Sequence, residues 1–339
     1  MVKINNLLAT AIVCWCLSSA NTAFGKQIGI ATVKNSLQAA VTQNKNALTN
    51  FEQGANLYKQ GDLKGAEAAF RKAIQLEPKF VEAYVALGNT LDDGGKPQEA
   101  IAQYQKAISI DPKFAKAHFF LGNSFYVQGK FTEAITEYKQ AINFDSKDAA
   151  AHYYLGNAFY AQGKPAEAVA EYTTAIRLQP KNAPSYNALG NVLYAEGKLE
   201  EAIAQYQKAI SVDSQDADAH YNLASALYAQ GKLDEAIGNY KRAIRLDPKH
   251  AQAYTGLANA MDDRGKPQEA IAHYKKAISL VPDYAYAYYN LGITLGREQQ
   301  REEAIVNFKK ARELFQAEEN NQMVEQIDRL IEKLKGSGE

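Results

Sequence analysis

One interval, 34 residues, governs what this chain can fold into: residues of one kind keep returning at that spacing. Small residues fall in step at Gly54, Gly88, Gly122, Gly156 and Gly190, then Ala224, Ala258 and Gly292. One alanine file runs through Ala66, Ala100, Ala134, Ala168, Ala202, Ala236, Ala270 and Ala304, and a second, seven residues on, begins at Ala73 and ends at Ala311. A period of this length marks a stack of supersecondary units, because one unit cannot bury its apolar side alone and each needs a neighbour. Eight units follow without a gap, at 47–80, 81–114, 115–148, 149–182, 183–216, 217–250, 251–284 and 285–318.

Each unit reads as two amphipathic helices. Tyr84, Leu87, Gly88 and Leu91 recur at spacings of three and four, as do Ala100, Ile101, Tyr104, Ala107 and Ile108, which is the helical period. Gly95 suits the end of the first helix, and Pro97 suits the first turn of the second, where its missing N–H costs nothing. Pro112, with Pro78, Pro180, Pro248 and Pro282 in register, stops the second helix. Gly88, Ala100 and Ala107 mark close helix approach; larger side chains there would overpack the contact by about 1–3 kcal/mol.

An aromatic residue or histidine, then Leu-Gly, a large apolar residue, a turn glycine, Ala, Tyr or Phe, Ala and Pro at this spacing resembles the tetratricopeptide repeat (TPR), over residues 47–318. The resemblance implies an all-α fold, a right-handed superhelical α-solenoid of helix-turn-helix units, of the bacterial exported type. The first unit departs from it at Asn50 and Gln53, where Tyr or His and Leu are expected, so fraying or cover by upstream residues is expected there. Ser146, Ser214 and Gln316 replace the proline. Residues 319–339 read as a C-terminal capping helix and tail, with Met323, Ile327, Leu330, Ile331 and Leu334 on one face.

The resemblance also implies that positions 2, 5, 6, 9, 12 and 13 of each unit face a concave groove. Position 9 then supplies Asn89, Asn123, Asn157, Asn191 and Asn259, interrupted by Ala55, Ser225 and Ile293. Position 12 supplies Tyr58, Tyr126, Tyr160, Tyr194 and Tyr228, and positions 5 and 6 add Phe119, Phe120, Tyr153, Tyr154, Tyr221 and Tyr289. An asparagine amide can give and take hydrogen bonds with a peptide group of any sequence, while tyrosine adds contact area with a polar tip and little entropy to lose. Such a wall suits an extended polypeptide. The carboxylate clamp that grips chaperone C-termini in this family is not spelled here: Phe51, Ala55, Ala86, Lys116 and Phe120 stand at its five positions, and one matches.

Two near-copies, LGNTLDDGGKPQEA at 87–100 and LANAMDDRGKPQEA at 257–270, put Asp92, Asp93, Asp262 and Asp263 at positions 12 and 13. Their spacing does not fit a calcium loop, which needs alternating ligands and then a fixed glycine and glutamate. A carboxylate beside a helix C-terminus costs about 0.3–1 kcal/mol. The pairs are either remnants of a recent duplication or two acidic anchors flanking a neutral Asn/Tyr trough, suited to a ligand basic near both ends. His118, His152 and His220 share position 4. Helices packed roughly 8–10 Å apart cannot bring them to one zinc, whose ligands sit about 2.1 Å from it, so they read as spacers in place of Tyr84, Tyr186 and Tyr254.

The 38 basic and 38 acidic residues among 339 cancel, so no global field draws nucleic acid or an anionic membrane. No nucleophile elbow, phosphate loop or HExxH motif is present. The chain therefore reads as non-catalytic, with no cofactor and no metal assigned. Residues 1–25 follow the order of a secretory signal, with an apolar run at 7–20 and small residues at Ala23 and Gly25; an uncleaved membrane anchor is the alternative. Cys14, Trp15 and Cys16 fall inside it, so a cleaved chain keeps no disulfide. Residues 26–46, with Ile30, Val33, Leu37 and Val41 at helical spacing, read as a leader or N-terminal capping helix. The expected location is exported: periplasmic, envelope-associated or secreted. The expected function is a protein- or peptide-binding scaffold in assembly of an envelope complex. A carrier of a metal ion or glycan, or a self-associating scaffold, are the alternatives.

Overall fold

The computed structural model describes residues 45–336. The expected signal at 1–25, positions 26–44 of the expected leader and the tail 337–339 lie outside the described residues. Regular structure among the described residues is entirely helical, and contacts divide the chain into two compact units, the first ending at Lys181 and the second beginning at Asn182. The first holds α1 (Lys45–Lys59), α2 (Leu63–Leu76), α3 (Val81–Asp93), α4 (Pro97–Ile110), α5 (Ala115–Val127), α6 (Phe131–Phe144), α7 (Ala149–Ala161) and α8 (Pro165–Leu178). The second holds α9 (Ala183–Ala195), α10 (Leu199–Val212), α11 (Ala217–Ala229), α12 (Leu233–Leu246), α13 (Ala251–Asp263), α14 (Pro267–Leu280), α15 (Ala285–Arg297), α16 (Arg301–Ala317) and α17 (Asn321–Gly336). No helix among the described residues is long and apolar enough to cross a membrane.

Helix ends follow local chemistry. Asp62 accepts from the Gly65 N–H at the start of α2, Asp148 from Ala150 and Ala151 at α7, and Asp216 from Asp218 and Ala219 at α11. Each such cap contributes about 1 kcal/mol. Pro97, Pro165 and Pro267 open α4, α8 and α14. Gly95 turns the chain out of α3 at φ 74°, a left-handed conformation glycine adopts without strain. At the corresponding turn after α15 stands Gln299, at φ 62°.

Within each unit, every odd-numbered helix up to α15 packs on the even-numbered helix after it, that helix packs on the next pair, and successive odd-numbered helices touch. The two alanine files make this possible: from Ala66 to Ala304 in one, and Ala73 to Ala311 in the other, exposure is 0–1%. Gly88 is needed for the same reason, since a Cβ there would lie 2.3 Å from the Tyr104 ring. The first pair is ordered into the core despite Asn50 and Gln53. Phe51, 7% exposed, meets Phe70 at 5.5 Å and Phe80 at 4.9 Å between ring centroids, so its neighbour supplies the missing apolar contact. At the other end α17 packs on α16, burying Ile327 and Ile331, while Arg312 grips Asp328 through two N–H groups at 2.6 and 3.2 Å.

Candidate functional site

The asparagines of position 9 are held by tyrosines fifteen residues further on. Tyr104, Tyr138 and Tyr172 donate to the side-chain oxygens of Asn89, Asn123 and Asn157, each across 2.7 Å. In the second unit Tyr206 does so to Asn191 at 2.9 Å and Tyr274 to Asn259 at 2.6 Å, and Tyr240 meets Ser225 at 3.2 Å. These tyrosines come from the even-numbered helices and are 0–3% exposed, so each hydroxyl must find a partner inside the protein. The pairing has its own control. Where position 9 is Ala55 or Ile293, the facing residue is Phe70 or Phe308, which has no hydroxyl to satisfy.

Each bond fixes an amide's orientation. With its oxygen committed to the tyrosine, the asparagine turns its NH2 group the other way. Asn89, Asn123 and Asn191 are half-buried, and among the described residues their NH2 groups make no hydrogen bond. Asn157 differs, being only 6% exposed.

The two units dress this face differently. In the first, rings run in contact from Tyr104 to Phe120 (6.0 Å, stacked), Phe119 (5.2 Å), Tyr154 (5.5 Å), Tyr153 (5.2 Å) and Tyr172 (5.9 Å). Tyr154 also stacks on Tyr138 at 6.2 Å, so a ring from one pair covers the tyrosine that orients the preceding asparagine. Burial pushes the Tyr154 hydroxyl up to about 12. In the second unit the covering position carries amides: Asn222 donates to Asn187 at 3.0 Å, and Asn290 donates to Asn259 at 3.1 Å. Tyr221 packs against Tyr240 at 6.0 Å and against His250 at 4.8 Å.

Of the remaining candidates, Phe119 and Tyr126 are 7% exposed and serve packing, Tyr126 against Phe131 at 5.5 Å. Tyr160 and Tyr194 are half-buried, and burial raises the Tyr194 hydroxyl. Tyr289 accepts from Gln326 of α17 at 2.6 Å, so the last helix reaches onto this face. Tyr228 donates to Asp263, and Tyr58 likewise to Asp93. Asp92 accepts from Ser124 at 3.0 Å and, at 3.0 Å, shares with Asn89 the single proton of the Tyr104 hydroxyl; Asp262 accepts from Thr294 at 2.6 Å and from Arg297. These partners sit in neighbouring helices, out of reach of local pattern reading.

The position-4 histidines stay apart. His118 bonds Glu137 at 2.7 Å and the Pro112 carbonyl at 3.0 Å, matching Tyr84, which donates to the Pro78 carbonyl at 3.2 Å. His152 bonds Glu171 at 2.6 Å and His220 bonds Asn239 at 3.2 Å. Among the described residues no group of three or more His, Cys, Asp or Glu side chains could hold a metal ion.

A family model described as TPR repeat matches residues 54–93, 88–126, 122–163, 156–197 and 190–231. Two described as tetratricopeptide repeat match 215–283 and 273–306. No curated protein matches the chain. Among solved structures, a chain of the APC/C hetero-tetramer Cut9–Hcn1 aligns over 86% of this chain and 57% of its own length, at 21% identity and a TM-score of 0.63. PilF of Pseudomonas aeruginosa aligns over 63% of this chain and 98% of its own, at 20% identity and a TM-score of 0.58. YrrB, a TPR protein with an unusual peptide-binding site, aligns over 55% of this chain and 95% of its own, at 26% identity and a TM-score of 0.46.

Proposed function

Because the chain belongs to the tetratricopeptide repeat family, we propose that this protein-interaction scaffold holds an extended polypeptide against the asparagine- and tyrosine-bearing face of its first helices. The observation that carries the reading is the set of tyrosine-to-asparagine hydrogen bonds. Within the first unit they turn the NH2 groups of Asn89 and Asn123 away from Tyr104 and Tyr138 before any ligand arrives, so binding to peptide carbonyls needs no reorientation of those side chains. In the first unit the rings of Phe120, Tyr153 and Tyr154 add contact area for the ligand's side chains. Backbone recognition of this kind tolerates many sequences, and the rings give it preference.

Asn123→Asp separates this role from a structural one. A carboxylate still accepts the Tyr138 hydroxyl but has no N–H to offer a carbonyl. Titration of the repeat protein with a library of extended peptides is expected to give saturable binding, weakened roughly tenfold by Asn123→Asp with the thermal midpoint little changed. Unchanged affinity removes the asparagine from the mechanism. Residues 1–25 have the order of a secretory signal, which supports export and a part in assembly of an envelope complex; the mass of the mature chain tests the cleavage.

A further inference from the structure

Asp92/Asp93 and Asp262/Asp263 are copies in sequence but not in charge balance, and the difference lies one repeat downstream. In both copies a tyrosine of the preceding pair donates to the second aspartate, Tyr58 to Asp93 and Tyr228 to Asp263. In both, a hydroxyl of the following pair donates to the first: Ser124 to Asp92 at 3.0 Å and Thr294 to Asp262 at 2.6 Å. In the second copy the same Asp262 oxygen is also gripped by the Arg297 guanidinium. In Arg297's register the first copy has Val127, an apolar side chain left 53% exposed.

Among the described residues neither Asp92 nor Asp93 has a cationic partner. Lys59, beside Tyr58 in sequence, pairs with neither, and Lys96 is taken by Glu67 at 3.1 Å. Burial, with the nearby Asp93 charge, holds the Asp92 carboxyl above its usual range against the hydrogen bonds of Tyr104 and Ser124. A carboxylate partly withdrawn from water and lacking a counter-charge is poised to gain from one.

We propose that Asp92 and Asp93 form a cradle for a cationic side chain of the bound polypeptide, arginine in preference to lysine, which takes the place Arg297 fills in the copy. An acidic cluster alone assigns no ligand; here the duplicate, built on the same tyrosine, hydroxyl and aspartate pair, is seen holding a guanidinium. Arginine is favoured because its planar fork can engage two carboxylate oxygens while its stem lies on apolar surface, here Val127 and the Phe120 ring stacked on Tyr104. The chain thus carries one open anchor and one filled from within, instead of two equal ones. This rests on the peptide-holding reading above.

Three host peptides, identical except for one arginine, lysine or citrulline, are titrated by fluorescence anisotropy into the intact repeat protein. The arginine peptide is expected to bind at least about tenfold tighter than the citrulline peptide, with lysine between. Val127→Arg, which fills the cradle as Arg297 does, and Asp92→Asn/Asp93→Asn are each expected to abolish that preference. Retention of the preference in Val127→Arg overturns the cradle. Equal binding of arginine and citrulline peptides also overturns it and leaves peptide holding intact, whereas absence of saturable binding by all three overturns both.

Discussion

Tyr138 reaches from α6 to Asn123 on α5 and donates to its side-chain oxygen across 2.7 Å, while the tyrosine itself is 0% exposed. A buried hydroxyl and a face-bearing amide are therefore one structural element. Asn123→Ala leaves the hydroxyl without this acceptor and is expected to cost about 1–3 kcal/mol. Adding Tyr138→Phe should recover much of the loss, because the chain itself pairs Phe70 with Ala55 and Phe308 with Ile293. Urea melts of the two single variants and the double variant measure the coupling, expected to be about 1–3 kcal/mol. Strictly additive losses would show that the two side chains do not act together.

The Tyr138 ring also fixes what its other neighbour can be. A Cβ on Gly122 would lie 2.7 Å from that ring, so Gly122→Ala forces ring and helix apart, at about 1–3 kcal/mol. Ala224 in the same file shows how the clash is avoided: the Tyr240 ring lies against the next pair, where a Cβ on Gly256 would come within 2.5 Å of it. Gly256→Ala is therefore expected to destabilise by a similar amount, although α13 gains helix propensity from it. Thermal melting of both variants checks this, and a raised midpoint in either would contradict the packing argument.

Gln299 occupies, at φ 62°, a turn that glycine occupies in Gly61, Gly95, Gly129, Gly163, Gly197, Gly231 and Gly265. An L side chain is strained there, and Gln299→Gly is expected to stabilise the end of the second unit by about 0.5–1 kcal/mol despite the looser unfolded chain. Hydrogen exchange of α15 and α16 amides, slowed in the variant, is the direct readout.

Much of this fold is legible in the sequence because every unit makes the same backbone demands. Turn glycines such as Gly95, opening prolines such as Pro97 and the two alanine files each answer a local requirement at a fixed offset. The candidate site is legible only in part. Asn89 and Asn123 stand out by register, but the direction of each amide depends on Tyr104 and Tyr138, on another helix. The coincidence of Phe70 with Ala55 and of Phe308 with Ile293 was the available signal. The unequal charge balance of the two aspartate pairs is harder to read, because Arg297 acts on Asp262 from 35 residues away in sequence. Asn157, in register with its neighbours, is buried where Tyr153 and Tyr154 crowd the same helix.

His118 makes one interface sensitive to pH. Its Nδ1 faces the Glu137 carboxylate at 2.7 Å and its Nε2 the Pro112 carbonyl at 3.0 Å. Both partners are acceptors, so the ring serves both only when it carries two protons. The Glu137 hydrogen bond accordingly raises the imidazole above its ordinary value, against the opposing effect of burial. A folded-state value above the unfolded one means that the contribution is complete below the unfolded pKa of about 6.5 and is lost as pH rises through the folded value. The half-buried carboxyls of Asp92, Asp148 and Asp216, also raised, favour the folded state as they take up protons, but in the acidic carboxylate window. Burial lowers the His273 imidazole, whose contribution runs the other way and grows as pH rises toward about 6.5, so the His118 part, a loss of thermal midpoint as pH rises through its raised value, is read as the difference between parent and variant. In His118→Tyr, which copies Tyr84 and can still donate to the carbonyl, that part of the slope should vanish. An identical slope in variant and parent would show that His118 titrates alike in the folded and unfolded chain.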